Sequence, residues 1–398
     1  MSMDAAGCDF LIGPVRVDVA GRRLLLEPGG DEGVGGRVGG DPLDLAVPVV
    51  LAEHDLGLGL GVPGGERRAV DHQHAGREAR EDHGEALDEL LSANVATLIA
   101  AGVVKLRQVA HDGMRVRASA GAGSFRREDK LAGYLEAARE RVAQLKAELE
   151  ADPGKADRAR QAARLRAARE REARVAEALA RLPELEAIKR RQGKAADQAR
   201  ASTTDAQATV MKMGDGGFRP AYNPQLASDV DSLVIVGVEV ATAGSDQGQM
   251  VPMIEQVRER CGQAPEAWLV DGGFVGHQQV EQASAHTTVY GPVPAAKDKT
   301  VDPHQPKPDD SPAVAAWRAR MGTDEAKAIY KNRAATAECV NAQSRNRGLQ
   351  QFRVRGLAKV KCVVLFFALA HNLMRMASLA PEMLALGKGA SAVSGIGA

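Results

Sequence analysis

Apolar residues recur at helical spacing through residues 86–102, "ALDELLSANVATLIAAG", so the pattern predicts a helix that stops at Gly102. The period then changes. Residues 103–118, "VVKLRQVAHDGMRVRA", alternate apolar and polar positions and read as a strand with Asp112 inside it or at its rim. Residues 126–200 are dominated by Ala, Arg, Glu, Leu and Lys, which favour helix. "ADPGK", with Asp152, Pro153 and Gly154, cuts that run in two, and so short a connection predicts an antiparallel helical hairpin. On its first arm Leu131, Tyr134, Leu135, Ala138, Val142 and Leu145 fall on one stripe.

Beyond the hairpin, "AYNPQLASD" and "SLVIVGVEVA" are strand candidates separated by a short polar turn. A helix follows, "QGQMVPMIEQVRERCG", with Asp246 just ahead of it in a capping position. The apolar run "AWLV" then leads straight into Asp271, Gly272 and Gly273. After it come a short helix over 277–285, a strand "TTVYGPV", a loop rich in Pro, Lys and Asp (295–312), and a helical region over 313–347. The late run "VKCVVLFFALA" is too short to span a bilayer and reads as a buried helix. Three antiparallel strands followed by alternating helices and strands predict a mixed α/β sheet with helices on its faces. The hairpin is inserted between the first and second core strands.

Composition changes this picture in two places. Residues 1–81 are rich in Gly, Val, Asp and Arg and hold no useful period, so a flexible segment is expected there. The formal net charge is zero, yet residues 1–90 carry 18 acidic and 8 basic side chains while 91–398 carry 34 and 44. The part expected to fold is therefore basic, as a polyanion-binding surface requires. The hairpin reads as a charge-laced solvated element, with a DNA-bracing or partner-binding arm as the alternative. Cys8, Cys261, Cys339 and Cys362 form no CxxC pair, which suggests neither zinc nor a disulfide framework and makes a reducing cytoplasm the expected compartment. No basic stretch followed by an apolar core opens the chain, so no secretory signal is expected.

Three carboxylates fit together as candidate chemistry. Asp112 lies on the first core strand, Asp271 at the carboxyl end of the fourth, where ligands of open α/β sheets gather, and Glu338 on a helix after the sheet. Two aspartates and a glutamate without His or Cys suit hard cations such as Mg²⁺ or Mn²⁺. Asp-Gly is also an ordinary turn dipeptide, and Glu338 alone would pass for a solvated helix residue. Its neighbours decide its interest. Tyr330, Arg333, Glu338 and Arg345 run as Y-x2-R-x4-E-x6-R. Helical geometry puts Glu338 about 20° from Arg345 and about 80° from Tyr330, with Arg333 flanking at roughly 140°. Guanidinium groups beside a metal-binding acid suit a phosphodiester, because Arg binds phosphate oxygens bidentately.

With these motifs, "HDGMRVRASA", "TTDAQATVMK", "YNPQLASD", "GSDQGQM", "VDGGF" and the Tyr330–Arg345 series, the chain resembles a bacterial insertion-sequence transposase of the DDE superfamily, over residues 83–379. The resemblance implies a ribonuclease H-like core and metal-dependent cleavage and strand transfer of DNA. Asp112, Asp271 and Glu338 would form the acidic triad and hold two Mg²⁺ or Mn²⁺ ions. Tyr330, Arg333 and Arg345 would contact DNA near the cleaved end. The last position, often lysine in relatives, keeps its charge as Arg345. Asp205 and Asp229 compete with Asp112 for the first acid. The implied partners are the element ends and target DNA, with a homodimer on DNA, no membrane and a nucleoid-associated cytoplasmic location. Residues 82–124 and 205–384 would then be the two parts of the catalytic core, 125–204 the insertion and 385–398 a flexible tail. Residues 1–81 do not resemble the helical DNA-binding region expected ahead of such a core, so the rival reading is a non-catalytic DNA-binding remnant.

Overall fold

The computed structural model describes residues 84–151, 158–296, 298 and 300–383 in full, with the backbone of 15–19, 22–26, 72–83 and 384. The Asp152–Gly154 break, the glycine-rich stretches between 27 and 71, and the tail 385–398 lie outside the described residues. Two compact units divide the chain between Leu45 and Ala46. In the first, β1 (Val15–Val19) pairs antiparallel with β2 (Arg22–Leu26). Regular structure thus forms within residues 1–81, where the sequence shows no period. The reason is local: "VRVDV" and "RRLLL" are near neighbours in the chain and pair in register, from Val19 with Arg22 to Val15 with Leu26, without needing a longer pattern.

The second unit opens with α1 (His72–Ala100), which starts earlier than the apolar spacing and ends beside Gly102, whose φ of 72° suits glycine. Then come β3 (Gln108–Gly113), β4 (Val116–Arg117) and β5 (Phe125–Arg126). The hairpin consists of α2 (Glu128–Ala151) and α3 (Arg158–Arg191), which pack against each other. Its predicted stripe is buried at Leu131, Leu135, Ala138, Val142 and Leu145. Tyr134 is the exception: it is exposed and lies under the Arg126 guanidinium, 5.9 Å from the ring centre. After the hairpin follow β6 (Ala201–Ser202), β7 (Thr209–Lys212), β8 (Phe218–Asp229), β9 (Ile235–Ala241), α4 (Met250–Cys261), β10 (Ala267–Leu269), α5 (His277–Ala283) and β11 (Thr288–Tyr290). Last are α6 (Pro312–Met321), α7 (Asp324–Asn346) and α8 (Leu357–Leu379).

Among the described residues the strands form a seven-stranded mixed sheet with the path β11-β10-β3-β8, in which β8 also pairs with β9, β4 and β7. β3 and β9 each run antiparallel to β8, whereas β10 runs parallel to β3 and β11 parallel to β10. β8 reaches twelve residues because two sets of partners share it: β4 and β7 flank its first half, β3 and β9 its second. Helices cover both faces. α1, α4 and α8 pack together with β9, while α7 crosses β3 and β8. Gly237 permits the close seat of α4, since a Cβ there would lie 2.5 Å from Met253 Sδ and 2.8 Å from Val257 Cγ2.

α8 is much longer than the apolar run that announces it. With 23 residues it is the one helix among the described residues long and apolar enough to cross a membrane. Here it is a core helix. Its Asn372 side chain closes two hydrogen bonds on β9, accepting from Ile235 N at 2.8 Å and donating to Ile235 O at 2.9 Å, and so satisfies backbone groups at a fully buried position.

Candidate active site

β3 and β10 are parallel neighbours whose register aligns Val109 with Trp268 and Ala110 with Leu269. Continuing that register by two residues brings Asp112 and Asp271 level at the carboxyl ends of adjacent strands. What makes the alignment firm is the apolar content of β10. Trp268, Leu269, Val270 and, past the turn, Phe274 are all fully buried, so the turn between them has fixed ends. Asp271 closes that turn itself, its Oδ1 accepting from Gly273 N at 2.7 Å. It is thus a turn residue and a strand-end acid at once.

α7 lies across this pair. Ala337 packs with Ala110, Ala267 and Leu269, small side chains that let the helix come close. Residues four apart on one face of a helix follow a common ridge, so Arg333 and Asn341 flank Ala337 over the same strands. The Arg333 Nη2 lies 3.6 Å from Asp112 Oδ1 and 3.8 Å from Asp271 Oδ2, and Asn341 Nδ2 donates to Asp112 Oδ2 at 3.1 Å. The Arg333 Nε is buried and has no partner among the described residues. Tyr330 is half-buried beside them. Burial pushes its hydroxyl pKa up, Arg333 opposes this, and the two aspartates add to the rise.

Burial raises the Asp112 carboxyl to a pKa of about 6; Arg333 pulls it down, and repulsion from Asp271 and then Asp246 pushes it up again. One shared guanidinium therefore leaves the buried Asp112 carboxylate under-compensated. The oxygen donors of Asp112 and Asp271 suit a hard divalent ion. Among the described residues, however, no three acidic, imidazole or thiol groups converge closely enough to hold one as they stand. Glu338 is exposed on α7 and Arg345 is exposed near its end; neither side chain makes a hydrogen bond or ion pair among the described residues. The structure thus brings together Asp112, Asp271, Arg333 and Tyr330, and leaves Glu338 and Arg345 outside those contacts.

The two competing aspartates have other work. Asp205 is buried, accepts from the Tyr222 hydroxyl at 2.7 Å and from Gly356 N at 3.3 Å, and so ties β8 to the start of α8. Asp229 accepts from Leu106 N, Ser232 N and Ser232 Oγ, closing the turn from β8 to β9.

Sequence reasoning missed Asp246. It does not cap α4, whose N-cap residue is Gln249 with no side-chain cap. Its carboxylate is buried and takes hydrogen bonds from Asn223 Nδ2 at 2.7 Å and Gln225 Nε2 at 2.8 Å. Alternating polar side chains on β8 were the available signal: Asn223 and Gln225 share one face of a buried stretch of the strand, and buried amides require partners. His111 belongs to the same network through Gln225 Oε1, 2.9 Å from its Nε2. Burial lowers its pKa to about 3, so it is a neutral spacer packed on Trp268 and Phe274.

Residues 297–377 match the family model described as transposase DDE domain. That segment holds Tyr330, Arg333, Glu338 and Arg345, while Asp112 and Asp271 lie outside it. Neither the curated proteins nor the solved structures contain a match to the chain.

Proposed function

We propose that this chain, a DDE-superfamily transposase by its match over residues 297–377, cleaves and joins DNA at the ends of an insertion sequence through Asp112, Asp271 and Glu338. One observation carries the reading above the rest: Asp112 and Asp271 stand level at the ends of adjacent parallel strands, with Arg333 of α7 between them. The strand order β9-β8-β3-β10-β11, the first three antiparallel and the last two parallel to β3, supports a ribonuclease H-like core. Residues 82–124 and 205–384 would supply it, with 125–204 as its insertion.

Asp112 and Asp271 would hold Mg²⁺ or Mn²⁺, two ions in all, with Glu338 supplied from α7. The ions, when bound, polarise the phosphodiester and activate the attacking oxygen. The chain's own residues do the rest. Arg333, freed from neutralising the aspartates, presents its guanidinium to the scissile phosphate, and its unpartnered Nε is a ready donor. Tyr330 keeps its proton, because burial raises its pKa, and donates a hydrogen bond to a phosphate oxygen. Arg345, exposed near the end of the same helix, contacts the flanking backbone. No covalent protein intermediate is required, and a homodimer would bridge two element ends.

The test is Mg²⁺-dependent nicking of an element-end duplex. Asp271→Asn and Glu338→Gln should each lower the rate on the order of 10³-fold, with DNA affinity nearly unchanged. Metal-dependent nicking that persists in both would refute the assignment. Wild-type protein that binds the end and never nicks it would instead point to a non-catalytic remnant.

The hairpin contributes to DNA affinity in the same reading. Arg141 of α2 with Arg164 and Arg171 of α3 border a groove of about 450 Å³ floored by Ala137, Ala138, Ala167 and Ala168. Arg164 and Arg171 are exposed and form no ion pair among the described residues. An Arg164→Gln, Arg171→Gln variant should weaken binding of a long duplex. The slope of log affinity against log salt should become shallower by about two, one unit per lost phosphate contact. An unchanged slope would return the hairpin to a solvated element.

A further inference from the structure

We propose that Asp246 is a positioning residue for the Asp112 end of the site, acting through the backbone of Gly113; the inference rests on the transposase reading. Successive strand residues face opposite sides of a sheet. Asp112 points to α7, where Arg333 and Asn341 meet it, so His111 and Gly113 face the other side. The Asp246 carboxylate lies on that other side. A Cβ built on Gly113 would come within 2.2 Å of Asp246 Oδ1, 2.6 Å of Gln225 Nε2 and 2.7 Å of Asn223 Oδ1. The carboxylate and both amides are therefore pressed against the bare backbone of the residue that follows Asp112.

Every group in this wedge has one orientation. His111, neutral at working pH, stands 2.9 Å from Gln225 Oε1, which turns the Gln225 amide nitrogen toward Asp246 Oδ1. Asn223, two residues earlier on β8, adds a second amide donor to the same oxygen. The other oxygen, Oδ2, is 3.4 Å from Arg115 Nη2, and that guanidinium is also held by Gly244 O at 2.9 Å. Oδ2 looks toward the second strand end as well: a Cβ on Gly273 would lie 3.6 Å from it and 3.0 Å from Asp271 Oδ1. The Asn223 side-chain oxygen Oδ1 is buried, has no partner among the described residues and lies next to Gly113.

This is a costly arrangement to keep for stability alone. A buried carboxylate must recover its lost hydration from its partners, and an apolar filling of the same volume is often at least as stable. It caps no helix. What it does is fix, through hydrogen bonds of one possible polarity, the height of the Asp112 backbone relative to Asp271 and the direction of Arg115. A displacement of about 1 Å in such a site can cost about a hundredfold in rate.

The test uses the full-length protein and the nicking assay above. In Asp246→Asn the side chain keeps its size, but one of its two acceptor oxygens becomes an NH2 donor. At the Oδ1 position it faces the Asn223 and Gln225 amides, and at the Oδ2 position it faces the Arg115 guanidinium, so a donor meets a donor either way. The expected result is a fall in kcat of about 100-fold. The KM for DNA should stay within about twofold, the melting temperature should hold, and half-maximal nicking should need severalfold more Mg²⁺. Pairing it with Gln225→Glu restores an acceptor opposite the new amide while still accepting from His111. That double variant should regain at least about tenfold of the lost rate. Gly113→Ala, which pushes the wedge from the opposite side, should reproduce the loss of kcat and the altered Mg²⁺ requirement. If Asp246→Asn fails to fold, Gly113→Ala and the double variant decide the matter by the same readouts. Wild-type protein that nicks, beside an Asp246→Asn variant with the same kcat and the same Mg²⁺ dependence, would overturn this inference alone. A loss confined to melting temperature or KM, with no recovery in the double variant, would overturn it too. A wild-type protein that never nicks removes the transposase reading and this inference with it.

Discussion

Asp112→Asn is expected to make the protein more stable at pH 8 while lowering metal-dependent nicking on the order of 10³-fold. Burial, with repulsion from Asp271 and Asp246, raises this carboxyl from its ordinary value near 3.8 to about 6 despite Arg333. A raised acid is easier to protonate in the fold than in the unfolded chain. Its contribution is therefore most favourable below about pH 4, falls as pH climbs through the folded pKa of about 6, and is flat above it. At pH 8 the ionised carboxylate works against folding by roughly 1–3 kcal/mol, taking about 1.4 kcal/mol per unit as the ceiling. Asparagine keeps an oxygen that can accept from Asn341 Nδ2 and removes the charge. The melting temperature should rise by about 2–6 °C at pH 8 and not at all at pH 4. Mg²⁺ should stabilise the wild type and leave the variant nearly unaffected, since only the wild type presents both carboxylates. Stabilisation of equal size at pH 4 would mean that the charge is not its cause. A destabilised variant at pH 8 would mean that the Arg333 pairing outweighs the burial.

Arg318→Met should produce the largest loss of stability, about 3–5 kcal/mol, because it strips one partner from a buried ion pair. Arg318 Nε meets Asp310 Oδ2 at 2.7 Å, with 4% and 2% of the two side chains exposed. The guanidinium also donates to Pro303 O at 3.1 Å and to His277 Nε2 at 2.9 Å. One side chain thereby fastens the loop ahead of α6 to both α6 and α5. Methionine fills much of the volume but leaves a buried carboxylate with only the Lys307 backbone amide for company. Urea denaturation should show the drop. Adding Asp310→Leu should recover at least half of it, because the stranded charge goes too. Losses that simply add would mean that the two residues do not depend on each other.

The elements were largely legible in the sequence, and so was their order. Period-2 and period-3.6 patterns announce β3, β8, β9, α1 and the two arms of the hairpin, because each buries one face against something apolar. The pattern misses boundaries where polar side chains belong to the buried face. α8 runs for 23 residues, but its polar stops, such as His371 and Asn372, are themselves buried and hydrogen-bonded to the neighbouring backbone. Polarity there marks a satisfied core and not an exposed end. Tyr134 errs the other way, since it lies on the stripe and yet stays outside, under the Arg126 guanidinium.

By itself the sequence determined which groups are available: acids at the ends of apolar runs, glycines beside them, and a helix carrying Tyr330, Arg333, Glu338 and Arg345. A one-dimensional period follows local chain geometry, so it shows where a strand ends and which side chains share a helix face. It cannot show which strand lies beside which. Only the tertiary structure set β3 next to β10, and so made Asp112 and Asp271 neighbours across 158 intervening positions of chain. Only the tertiary structure turned Asp246 from the expected cap of α4 into a buried wedge under Gly113. Hydrogen-bond demand decided that assignment: Asn223 and Gln225 are buried amides on β8, and the carboxylate that satisfies both comes from a loop some twenty residues on.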